Sequence, residues 1–118
     1  MSTKQLGDAA EDRALAHLTA HGLRLLARNY RTPGRGGGEI DLVMRDRDGT
    51  VVFVEVRKRA HRAFGGAAAS VGALKQRRIV FAARHYLLAL REPPPCRFDV
   101  ISMEGGGIQW MRAAFDAG

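Results

Sequence analysis

The stretch Gly36–Arg59, GGGEIDLVMRDRDGTVVFVEVRKR, constrains the fold more than any other part of the chain. Two apolar runs flank a turn marked by Asp48-Gly49, the pattern of a β-hairpin. A two-residue loop would set Asp41 against Val56 and mix the two faces. A three-residue loop of Arg47, Asp48 and Gly49, with the glycine left-handed, matches Leu42 with Val54, Val43 with Phe53, Met44 with Val52 and Ile40 with Val56. Register follows the apolar match, so the longer loop is expected. It sets Asp41 opposite Glu55 and Glu39 opposite Arg57, with Cβ atoms of each pair about 4.5–5.5 Å apart. Two carboxylates at that separation raise each other's pKa unless a cation stands between them. A divalent ion such as Mg²⁺ would serve, since it binds through one or two carboxylates plus waters and phosphates. Arg57 could instead neutralise the cluster as a structural ion-pair network.

Around the hairpin the periodicities predict a helix over Thr3–His21, with Leu6, Ala10, Ala14 and Leu18 on one face and Gly22 just past its end. A strand is expected over Leu23–Arg31, then a glycine-rich loop at 32–38, then strands at Glu39–Arg45 and Thr50–Arg59. FGGAAAS leads into a second helix with Gly72 as N-cap and Ile79, Ala83, Tyr86, Leu87 and Leu90 as its apolar stripe. The triple proline at 93–95 is expected to end it. Arg97–Met103 and Ile108–Met111 read as closing strands, with Trp110 and Phe115 in the core. The expected class is α/β (α+β), one domain over residues 1–118.

Charge narrows the partners. The chain carries +7, unevenly distributed. Residues 1–56 are neutral, with eight basic and eight acidic groups, whereas residues 57–97 hold ten basic groups against Glu92 alone. A concentrated basic block suits a polyanion, most often nucleic acid. A solvated face in an arginine-rich chain is the alternative, given 16 Arg to 3 Lys. The single cysteine, Cys96, excludes an intrachain disulfide and a four-cysteine zinc site. No signal peptide and no membrane span are visible, so a cytoplasmic protein is expected.

An acidic residue on one strand, followed by Glu-x-Lys on its antiparallel neighbour and flanked by helices, resembles the PD-(D/E)xK signature. That is the restriction-endonuclease-like superfamily, which includes archaeal Holliday-junction resolvases. More closely, the chain resembles the YraN-type family of small bacterial proteins linked to endonuclease function. The likeness runs through GDAAE at 7–11, ARNYR at 27–31, GEIDLV at 38–43, FVEVRKR at 53–59, FG at 64–65, Lys75, RFDVI at 97–101 and AF at 114–115.

The resemblance implies a mixed sheet flanked by helices and a Mg²⁺- or Mn²⁺-dependent endonuclease acting on DNA, with branched and single-stranded forms among the candidate substrates. Asp41 and Glu55 would be metal ligands, joined by the Val56 carbonyl and by Glu11 from the first helix. The motif lysine falls on Arg57, which can stabilise charge but cannot serve as a base. Lys58 is expected on the opposite face unless a bulge intervenes. Lys58, Arg59, Arg62, Lys75 and Arg78 are the candidate nucleic-acid contacts. Resolvase-like relatives work as dimers, so a homodimer is open. A nuclease fold that binds nucleic acid without cutting it is the alternative function, and an interaction domain for an acidic protein partner a third.

Overall fold

The computed structural model describes residues 3–59 and 71–118. In chain order the elements are α1 (Thr3–Ala20), β1 (Arg24–Arg31), β2 (Glu39–Arg45), β3 (Val51–Arg59), α2 (Ala73–Leu88), β4 (Cys96–Glu104) and β5 (Gly107–Phe115). The five strands form one sheet in sequence order. All neighbours are antiparallel except β3 and β4, which run parallel from Val51↔Cys96 to Arg59↔Glu104 without a register shift. This is a mixed α/β sheet with two helices among the described residues, consistent with the restriction-endonuclease-like α+β fold. No helix among them is long and apolar enough to cross a membrane.

Each helix covers one core. Ala10, Ala14 and Leu18 of α1 pack with Leu42, Met44, Val52, Val54, Ile101 and Met103. Ile79, Ala82 and Ala83 of α2 pack with Val43, Val51, Phe53, Phe98 and Val100. The period-2 alternation of β3 therefore serves both cores at once. The α1 stripe ends as expected at Gly22, whose φ is +93°. There the Leu23 N–H reaches the Leu18 carbonyl and the Gly22 N–H reaches Thr19, the paired bonds of a Schellman motif. Leu23 thus belongs to the turn, and β1 starts one residue later than expected.

The hairpin register is the expected one, with Leu42↔Val54, Val43↔Phe53, Met44↔Val52 and Arg45↔Val51. Gly49 takes φ +90° and donates to the Asp46 carbonyl, as a three-residue loop requires. Some details differ. The pairing stops at Leu42↔Val54, so the expected rungs Ile40/Val56, Asp41/Glu55 and Glu39/Arg57 do not form. Helix α2 ends at Leu88, well before the prolines, with Ala89 as C-cap, so Leu90 lies beyond it. Both closing strands run longer than expected. FGGAAAS at 64–70, which includes FG at 64–65, falls outside the described residues, as does Arg62.

Candidate metal centre

The rungs stop at Asp41 for a local reason. Across from it, between the pairs Arg28↔Leu42 and Tyr30↔Ile40, stands Asn29 with φ +54°. Asparagine tolerates this left-handed conformation better than most residues. In a regular strand Arg28 and Tyr30 would share a face. Here Tyr30 packs toward the α2 core, while Arg28 reaches Glu11 and Asp12 of α1. β2 changes face at the same level, since Ile40 joins the α2 core and Leu42 the α1 core.

Freed from the ladder, the Asp41 side chain takes the place of a backbone acceptor. Its Oδ2 accepts the Val56 N–H at 2.8 Å. Val56 thus holds Asp41 in position through its N–H. The two acids come together, although not as a rung.

Glu55 is 5% exposed, and its Oε2 makes no hydrogen bond. A buried acceptor without a partner is costly. Burial, then the Asp41 charge, push the Glu55 pKa up to about 8, against the opposing charges of Lys75 and Arg57. Lys75, in the first turn of α2, brings Nζ to 3.5 Å from Glu55 Oε2 and 3.8 Å from Glu39 Oε1. Glu39 also pairs with Arg31 at 3.2 Å, which replaces its expected pairing with Arg57. Lys75 was expected as a phosphate contact and here faces the carboxylates.

Arg57 shares the face of Glu55, two residues on along regular β3. Lys58 is exposed, and since β3 has no bulge it falls on the other face. Arg59 closes β3 opposite Glu104. Arg78 is exposed on α2.

Glu11 is held by Arg28 at 3.4 Å, and the same guanidinium bonds Asp12 at 2.7 Å and the Asp8 carbonyl at 3.2 Å. Burial raises the Glu11 pKa, and the Asp41 charge raises it further, which puts the two acids within electrostatic reach. No group of three metal-ligating side chains converges among the described residues. Asp41 and Glu55 are the side chains that could hold a metal here, since Arg28 engages Glu11. Two hard oxygen donors, one of them without a hydrogen bond and approached by the Lys75 ammonium, suit Mg²⁺ or Mn²⁺, which keep waters in their remaining positions.

Asp99 is wholly buried and structural. It accepts from Arg97, from Trp110 Nε1 at 3.0 Å and from the Ala113 N–H at 3.0 Å.

Sequence reasoning missed Asn29 as a determinant of the site and Arg31 as a partner of Glu39. An asparagine among strand residues was the signal available for the first.

The model of the uncharacterised protein family UPF0102 matches residues 10–103. The UPF0102 protein of Paracidovorax citrulli is 73% identical over 117 residues, covering 99% of this chain and 87% of its own. That of Albidiferax ferrireducens is 71% identical over 116 residues, covering 98% and 91%. The UPF0102 protein of Methylibium petroleiphilum is 63% identical over 120 residues, covering 99% and 98%.

Proposed function

We propose that this chain, which belongs to the uncharacterised protein family UPF0102, is a metal-dependent endonuclease that hydrolyses phosphodiester bonds in DNA. The observation that carries the reading is the buried Glu55 Oε2, left without a hydrogen bond beside Asp41. Asp41 and Glu55 would hold Mg²⁺ or Mn²⁺, with the Val56 N–H keeping Asp41 in place. The ion, when bound, supplies Lewis acidity toward the phosphate and a lowered pKa for an attacking water. Lys75 and Arg57 flank the acids with positive charge, suited to the charge that builds on a phosphate as its ester bond breaks. Arg57 does this in place of the motif lysine, and Lys75 brings an amine to the same acids from α2.

The test is cleavage of duplex, flap, junction and single-stranded DNA with Mn²⁺. Asp41→Asn and Glu55→Gln should each cut at least about 100-fold more slowly, as befits the loss of a principal electrostatic group. Equal cutting by either variant would refute the assignment.

The Lys75–Glu55 contact also favours a second reading. If that ammonium is the permanent partner of Glu55, the fold binds nucleic acid without cutting it. Binding would then be unaffected by chelator, and no substrate in the panel would be cleaved.

A further inference from the structure

Beside the carboxylates lies a cavity of about 190 Å³ that the metal chemistry does not use. Three cationic side chains line it: Arg31 from β1, and Lys75 and Arg78 from α2. Its remaining wall is the loop between β1 and β2. There Thr32 Oγ1 accepts the Gly38 N–H at 2.7 Å, and the Thr32 N–H donates to the Gly38 carbonyl at 3.0 Å, closing the loop on itself. Gly38 lies so close to α2 that a Cβ there would strike the backbone carbonyl of Arg78. A Cβ on Gly37 would strike Thr32 Oγ1. The glycines thus let the loop close against α2 and shape a notch between two elements that both carry positive charge.

One anion already stands in this notch. Glu39 bridges Arg31 at 3.2 Å and Lys75 at 3.8 Å, yet its side chain is 47% exposed and that of Arg31 is 73% exposed. A surface pair of this kind is weak and readily exchanged. No ion pair to Arg78 is found among the described residues. An incoming phosphate could replace Glu39 between Arg31 and Lys75 and gain Arg78 as a third cation. Charge-assisted bonds to a phosphate are stronger than those the exposed carboxylate makes.

We infer that this notch is a metal-independent subsite for a backbone phosphate of nucleic acid, with Glu39 as its built-in competitor. It extends the proposed function, because Lys75 touches both Glu55 and the notch and sets the two within one side chain of each other. A strand whose scissile phosphate lay at the acids would place a neighbouring phosphate here. The subsite thereby gives the reaction a polynucleotide preference over a lone phosphate ester.

The experiment is fluorescence anisotropy of a labelled thymidine 12-mer in EDTA, so that the metal centre contributes nothing. Arg31→Ala and Arg78→Ala should each weaken binding about threefold to tenfold and lower the salt slope by about one phosphate's share. Glu39→Gln should tighten binding by a similar factor. Asp48→Asn makes the same charge change on an exposed turn, and Arg91→Ala removes an exposed charge beyond α2; neither should matter. If Asp48→Asn and Arg91→Ala shift affinity as much as the notch variants, the subsite is refuted in favour of general charge. Unchanged affinity in Arg31→Ala, Arg78→Ala and Glu39→Gln would refute it outright. Failure of the endonuclease reading would look different: no cleavage with Mn²⁺, while these EDTA measurements stood.

Discussion

Glu55 carries its carboxyl where ionisation is costly, so its titration should be visible in the stability of the metal-free chain. Its pKa is near 8 in the fold against 4.5 when unfolded, so the native state holds the extra proton between those limits. The stability this group contributes is complete below its unfolded value and is lost as pH rises through its folded one. The thermal midpoint of metal-free protein should fall as pH rises from about 5 to 8, by an amount worth a few kcal/mol. Glu55→Gln should flatten that slope, and an unaltered slope would show that another group sets it. Saturating Mn²⁺ should oppose the fall, since metal binding needs the ionised carboxylate. Lys75 offers a second measurement at this scale. Lys75→Met should lower kcat about 100-fold with little change in melting temperature, whereas Arg57→Lys should retain activity. The two acids could be read from the sequence because apolar matching and one glycine fix the hairpin. The reach of Lys75 could not, because it depends on how α2 seats against β3 across residues far apart in the chain.

At the scale of elements, the site depends on a defect shared by β1 and β2. Asn29 in its left-handed conformation turns Tyr30 and Arg28 to opposite sides, and Asp41 leaves the ladder at the same level. A β-branched residue there meets a steric cost of about 1–2 kcal/mol, while glycine meets none. Asn29→Val should therefore lower stability by about that much and weaken Mn²⁺ affinity in calorimetry, and Asn29→Gly should preserve affinity. Gly38→Ala should destabilise the chain by about 2 kcal/mol or more in denaturant titration, because the added methyl meets backbone rather than a movable side chain. Alternation predicted the strands well, and the Schellman ending of α1 was legible in Gly22. What alternation cannot supply is the point where it fails. The expected Asp41/Glu55 rung was wrong in its geometry, although the two residues do meet.

At the scale of the molecule, the chain's charge asymmetry becomes an arrangement in space. Asp41 and Glu55 come from the neutral first half, and Lys75 and Arg78 from the basic block that follows. If Arg31, Arg57, Lys75 and Arg78 all meet phosphates, log affinity for single-stranded DNA should fall with log salt at a slope of about −3. A flat response in a filter-binding titration would point to a protein partner instead. The composition announced this excess, but not that part of it would face acids of the same chain. The far flank of the sheet has its own consequence. Among the described residues β5 has a neighbour on one side only, and such a strand can recruit a foreign chain and seed polymerisation. The left-handed Ala113, tethered by Asp99, shifts the β4–β5 register and bends that border out of line. A bulge of this kind is one way in which edge strands are kept from pairing with other chains, and here a buried aspartate holds it.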